Sequence, residues 1–147
     1  MQIRRADLAD IEMLAPLFDA YRGFYGQPSD ELGAARFLGE RLTQAESVVL
    51  LAVDGSGGGL GFTQLYPLFS SVRMGRVWLL NDLFVAEGAR RSGVADALMA
   101  AAEDFARADG AAGMQLETGD DNLGAQALYR RRGWILEQGF QHYGLTL

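Results

Sequence analysis

The run from Trp78 to Leu98 constrains the fold more than any other part of this chain. Trp78 to Val85 is a strand-length apolar stretch broken only by Asn81 and Asp82, and Ala86 to Ser92 is a short polar turn. From Gly93 a helical pattern opens, with Val94, Leu98, Ala101, Ala102 and Phe105 on one face and Asp96, Glu103, Asp104 and Arg107 mostly elsewhere. A strand feeding directly into an amphipathic helix needs a sheet for the helix to cover, so the chain reads as α/β. The turn also leaves unpaired backbone N–H groups at a helix start, where the macrodipole adds partial positive charge. With Arg90 and Arg91 at the seam, this is a seat suited to phosphate. The plainer alternative is a glycine that starts a helix beside two solvated arginines.

The remaining elements extend that reading. Gln2 to Arg5 reads as a first strand, and Asp7 or Asp10 caps a helix carrying Ile11, Leu14, Leu17, Phe18 and Tyr21, with Pro16 expected to bend it. Gly23 to Pro28 breaks the chain, and Ser29-Asp30-Glu31 starts a second helix to about Ala45. Val48 to Val53 and Leu60 to Tyr66 read as strands joined by the glycine-rich Asp54 to Gly59, which serves a hairpin turn because no helix follows it. Pro67 to Gly75 reads as a loop before the strand Arg76 to Val85. Gly110 stops the central helix, Gly113 to Thr118 reads as a strand, and Ala125 to Arg132 as a short helix ended by Gly133. Trp134 to Gln138 and Gly139 to Leu147 read as two closing strands. The order β-α-α-β-β-β-α-β-α-β-β predicts about seven strands and four helices in one domain over residues 1–147.

Composition narrows the chemistry. There is no cysteine, which excludes disulfides, thiolate metal sites and an acyl-cysteine relay. One histidine, His142, makes a histidine-rich metal site an unpromising reading, and no metal is expected. All 13 basic residues are arginines, so a Schiff-base lysine and a phosphate-binding P-loop lysine are absent. A net charge of -6 argues against sequence-independent nucleic-acid binding and mildly favours a cationic small partner. No apolar run reaches the roughly 20 residues of a membrane span, and Met1 to Arg5 leads into acidic residues instead of a signal-type apolar core. No membrane partner is expected, and the expected location is cytoplasmic.

Arg90-Arg91-Ser92-Gly93-Val94-Ala95, five residues after Val85 and at the opening of the helix, resembles the Gln/Arg-x-x-Gly-x-Gly/Ala signature of the GCN5-related N-acetyltransferase (GNAT) superfamily. A second matching segment runs from Leu116 to Asn122 and on through Ala125, Leu128, Tyr129 and Gly133-Trp134, so the resemblance covers nearly the whole chain. It implies the GNAT fold: a central mixed, mostly antiparallel sheet of about seven strands, splayed between strands 4 and 5, with about four flanking helices. It implies acetyl-CoA as the donor, its pyrophosphate at Arg90 to Ala95 and its pantetheine arm along the backbone of Leu83, Phe84 and Val85, with Asn122 and Ala125 nearby. It also places Tyr129 near the thioester sulfur as general acid. Read without the resemblance, Tyr129 is a core or interface aromatic.

The implied activity is transfer of acetyl to a primary amine of a small molecule, by direct attack in a ternary complex. An alkylamine with a pKa near about 10.4 is mostly protonated at neutral pH, so a base is required. Polyamine-type relatives, which the chain resembles most in feel, carry Glu-Asp before the signature; here Asn81-Asp82 stands there, and asparagine is no base. On a regular strand Asn81, Leu83 and Val85 share one face and Asp82 takes the other. Asp82 is thus a candidate site residue or, equally, a bracing carboxylate, and Asn81 a candidate for orienting water. Segment position makes Tyr21, Phe24, Tyr25, Tyr66 and Phe69 candidates for the acceptor pocket, with His142 a more remote one that reads first as a strand-surface residue. The alternatives are a protein or peptide acceptor and a non-catalytic acyl-CoA sensor. Family members often dimerise through C-terminal strands, so a homodimer built on Trp134 to Leu147 is also expected.

Overall fold

The computed structural model of the chain describes residues 1–147. Its elements are β1 (Gln2–Arg5), α1 (Ile11–Phe24), α2 (Glu31–Thr43), β2 (Val48–Val53), β3 (Gly59–Ser70), β4 (Gly75–Val85), α3 (Val94–Ala108), β5 (Gly113–Gln115) and α4 (Leu123–Arg131), with short 3-10 turns at Leu8–Asp10 and Glu87–Ala89. The chain divides into two compact units, 1–116 and 117–147. No helix is long and apolar enough to cross a membrane.

The first unit holds a five-stranded sheet in the order β1-β2-β3-β4-β5. The first four strands pair antiparallel with their neighbours, while β5 lies parallel to β4 because α3 carries the chain back across the sheet. Alternation divides the side chains between two faces. Val49, Leu51, Val53 and Phe62 join Leu14, Leu17, Phe18, Ala34 and Leu38 of α1 and α2 in one core. On the other face α3 buries Val94, Leu98, Met99, Ala102 and Ala106, and its Phe105 ring meets Trp78 edge-on at 5.1 Å.

Local chemistry accounts for the helix starts. Asp7 accepts from the Ala9 N–H while Asp10 accepts from the Asp7 N–H, a reciprocal capping box that opens the first helical turn. Arg4 of β1 grips the same Asp10 carboxylate through two nitrogens at 2.6 and 2.8 Å. Asp30 caps α2 through the Gly33 N–H. Helix α1 continues through Pro16 to Phe24.

Five strands replace the seven expected. The pattern in Trp134 to Leu147 invites strand assignment, but residues 117–147 contain one helix and no other strand to supply a hydrogen-bonding edge. Ile135, Leu136, Phe140, Tyr143, Leu145 and Leu147 are accordingly all exposed. The β3–β4 hairpin is longer than expected: Pro67 to Ser70 belongs to β3, paired with Gly75 to Trp78. Pro67 pairs opposite Trp78 within this ladder, so the proline shortened the sequence-based strand without ending the real one.

Candidate active site

The site is organised by one extra residue in β4. Gln64 of β3 stands opposite Asp82, and the next residue, Leu65, stands opposite Leu80, so Asn81 has no counterpart. This is a β-bulge, and it reverses the alternation of the strand. Before the bulge Trp78 faces α3; beyond it Phe84 faces α1, with its ring 6.3 Å from that of Tyr21. Asp82 shares the register of Phe84 and is delivered to the α1–α2 face. Had β4 been regular, Asp82 would have pointed at α3 with Trp78 and Leu80. The expectation that Asn81 simply shares a face with Leu83 and Val85 fails here, because Asn81 is the bulged residue and lies exposed.

Asp82 is 3% exposed and is held by neutral groups. Gln64 Nε2 donates to its Oδ2 at 2.5 Å and Asn81 Nδ2 to its Oδ1 at 2.9 Å. The Tyr21 hydroxyl, also beside the carboxyl, donates to the Asn81 carbonyl at 3.3 Å. Behind Gln64, the Ser47 hydroxyl donates to Gln64 Oε1 at 2.8 Å. Burial pushes the Asp82 carboxyl above the usual range, and the hydrogen bonds from Gln64, Tyr21 and Asn81 offset this only in part. The effect spreads to the neighbouring phenols. Burial first, and the Asp82 charge second, push Tyr21 far above an ordinary tyrosine and Tyr66 up to about 12. Both remain neutral donors at any working pH.

The aromatic candidates separate into two places. Tyr21 packs against Tyr25 at 5.1 Å and Tyr25 against Phe24 at 5.3 Å, so a half-buried tyrosine at the carboxyl continues outward into the exposed Phe24 and Tyr25. Tyr66 belongs on the same side, two residues after Gln64 in the unbroken strand β3. Phe69 does not. It stands opposite Arg76 on the α3 side of the sheet, its ring 4.8 Å from that guanidinium. Sequence reasoning also passed over Gln64 and Ser47. The available signal was Thr63-Gln64 in an otherwise apolar strand; both are fully buried, and a buried polar pair requires partners.

On its outer edge β4 meets β5 only at Val77, Trp78 and Leu79, because β5 ends at Gln115 while β4 runs on to Val85. The Ala86 N–H bonds to the Leu60 carbonyl, which by alternation turns the Phe84 and Asp82 backbone toward β3 and that of Leu83 and Val85 toward the unpaired edge. Arg90 Nε reaches the Val85 carbonyl at 3.2 Å, tying the turn to the strand end. Ser92 Oγ donates to the Ala89 carbonyl at 2.5 Å. Arg91 has φ 61° and Gly93 φ 82°, and Gly93 is the N-cap of α3 with no side-chain cap. Left-handed backbone costs a non-glycine residue about 1–2 kcal/mol, so the loop stores strain at Arg91 and avoids it at Gly93. An added Cβ at Gly93 meets no protein atom within 4 Å. Arg90, Arg91, Ser92 and Gly93 are exposed, Val94 is buried and Ala95 half-buried. An open strand edge ending in uncapped helix N–H groups suits a chain of amides that ends in a diphosphate.

Within residues 117–147, Asn122 caps α4 by accepting from the Ala125 N–H at 3.2 Å. This uses its Oδ1 and leaves the amide nitrogen as a donor. Tyr129 is half-buried beside Trp134, ring centroids 6.3 Å apart, and Leu128 one residue earlier is the buried residue of the helix. His142 is exposed next to Glu117, 3.3 Å away.

The acetyltransferase (GNAT) family model matches residues 14–134. The chain is 47% identical over 147 residues to an uncharacterized N-acetyltransferase, YhfO, of Bacillus subtilis, covering 100% of this chain and 98% of that protein. It is 39% identical over 105 residues to a probable acetyltransferase of Haemophilus influenzae, 71% of this chain and 72% of that one. A crystal structure of a probable acetyltransferase superposes with a TM-score of 0.95 at 44% identity, covering 100% of this chain and 98% of that one. The chain therefore belongs to the acetyltransferase (GNAT) family of acetyl-transfer enzymes, whose members use acetyl-CoA as acetyl donor.

Proposed function

We propose that this enzyme transfers acetyl from acetyl-CoA to the primary amine of a small molecule, in a ternary complex, with Asp82 receiving the amine proton. The observation that carries this reading is a carboxyl buried among neutral donors and pushed toward higher proton affinity. As an amine nitrogen bonds to the acyl carbon its remaining protons become acidic, and a raised carboxylate is suited to accept one. Asn81 spends its amide nitrogen on Asp82, which leaves its amide oxygen as an acceptor for an amine N–H.

The rim is formed by Tyr21, Phe24, Tyr25 and Tyr66, whose ring faces favour a cationic group on the incoming acceptor. Phe69, on the α3 side, has no part in it. Acetyl-CoA supplies the activated acyl carbon. The backbone of Leu83 to Val85 would hold its amide-bearing arm, the Arg90 to Ala95 turn its diphosphate, and Asn122 and Ala125 would add contacts. Tyr129 donates a hydrogen bond that strengthens as charge develops on the leaving sulfur. Full proton transfer from a phenol near pKa 10 to a thiolate near 8.5 is uphill by about 2 kcal/mol, so the hydrogen bond is the role assigned. The new bond is N–C, the broken bond C–S, and the amine proton ends on Asp82. The family match runs across both compact units, which supports one catalytic domain over residues 1–147.

Thiol release from acetyl-CoA, measured against a panel of small amines and a panel of peptides, tests the reading. Turnover confined to small amines is the expected result. Turnover on peptides alone, or acetyl-CoA binding with no turnover on either panel, would overturn it.

A further inference from the structure

The Asp82 carboxyl has a buried support that the reaction scheme does not use. Gln64 is fully buried and stands directly opposite Asp82 at the bulge. An amide can present either its oxygen or its nitrogen to a neighbour, and the two choices have opposite effects on a carboxylate. Here the choice is made from behind. The Ser47 hydroxyl, itself 4% exposed, donates to Gln64 Oε1, so Nε2 is the end left for Asp82. Ser47 precedes β2, and Gln64 pairs with Val49 of that strand, so the backbone register of three strands holds the arrangement in place.

We propose that Ser47 and Gln64 are positioning residues, a buried relay in which Ser47 fixes the amide orientation of Gln64 and Gln64 thereby fixes the donor presented to Asp82. The proposal rests on the reading of Asp82 as proton acceptor for its functional meaning, though its geometry stands apart from that reading. The bond from Gln64, at 2.5 Å, is shorter than the one from Asn81, at 2.9 Å, and comes from a buried residue where Asn81 is exposed. It favours the ionised carboxylate and so opposes the upward push of burial. The other titratable groups facing Asp82 are Tyr21 from α1 and Tyr66 from β3. Tyr25 adjoins Tyr21, and Arg41 and Glu46 act on Tyr66 with opposite sign.

The test needs no acceptor. The carboxyl carbon of Asp82 is followed by NMR across pH in the full chain labelled at aspartate, and assigned by the signal that Asp82→Asn removes. Gln64→Leu is expected to move the Asp82 midpoint up by about one pH unit, the size of a charge-assisted hydrogen bond lost. Ser47→Ala, which removes a single oxygen and preserves the fold should the leucine variant unfold, is expected to move it in the same direction by less, and Ser47→Thr to restore it. An Asp82 midpoint unchanged in Ser47→Ala or in a folded Gln64→Leu would overturn the relay. Failure of the proton-acceptor reading is distinguishable: there the midpoint still moves, while Asp82→Asn retains wild-type thiol release.

Discussion

Asp10 and Asp82 are both buried carboxylates on the α1–α2 side of the first unit, and they are opposites. Asp10 faces the Arg4 guanidinium through two short bonds and also accepts the Asp7 N–H. The hydrogen bond from Arg4 holds it below the usual carboxylate range. Asp82 has amides and a phenol for neighbours, and burial holds it above that range. An opposing charge fixes a carboxylate as a structural anion, whereas neutral donors around a buried one leave it able to take and return a proton. Burial marks neither role by itself; the charge of the partner does.

The contrast is tested most severely at Asp82. Asp82→Asn is expected to lower turnover by about 10²–10⁴-fold, the usual contribution of a positioned base. It is also expected to raise the thermal unfolding midpoint at neutral pH. A folded-state carboxyl with raised affinity favours the fold as pH falls toward its ordinary value and loses that contribution as pH rises through its raised one. The neutral amide removes this cost. A less stable Asp82→Asn protein, measured by calorimetry, would make Asp82 a second structural carboxylate.

Tyr129→Phe is expected to lower turnover on the order of 10²-fold while sparing acetyl-CoA affinity in titration calorimetry. Unchanged turnover would leave Asp82 without its counterpart at the leaving group. Asp10→Ala is expected to cost about 1–2 kcal/mol in denaturant unfolding through loss of the capping box, with no change in the pH dependence of the reaction. The stabilisation Asp10 gives is present above the ordinary carboxylate range and is lost as pH falls through its lowered value. The smallest effect is at Tyr21. Tyr21→Phe removes a donor beside Asp82 and is expected to raise the pH at which activity falls away in acid by about half a unit.

The two carboxylates were not equally legible in the sequence. Asp10 lies before a helix with Asp7 three residues earlier, and capping chemistry is local, so the sequence offered Asp7 or Asp10 as the cap, and the two share the capping box. The position of Asp82 depends on a bulge, and a bulge is a register mismatch between β3 and β4 that neither strand shows alone. Phe69 was misplaced for a simpler reason: β3 runs on through Pro67 to Ser70, and its regular alternation turns Phe69 away from Gln64 and Tyr66. The Gly93 turn was legible because its requirements lie within six consecutive residues, and its left-handed glycine stands where the pattern placed it. The C-terminal residues failed for a different reason: apolar residues at strand-like spacing make a strand only when a hydrogen-bonded neighbour joins them, and Trp134 to Leu147 form none.

The central claim is that Asp82 takes the proton of the acceptor amine. The most direct measurement is kcat/KM for the best small amine as a function of pH, in the wild-type enzyme and in Asp82→Asn. In the wild type the logarithm of the rate is expected to rise with unit slope as the amine deprotonates, and to steepen by one further unit below a midpoint that lies above the ordinary carboxylate range. Asp82→Asn is expected to be slower throughout and to keep unit slope to the acid end. A variant that reproduces both the wild-type rate and the steeper acid slope would contradict the account.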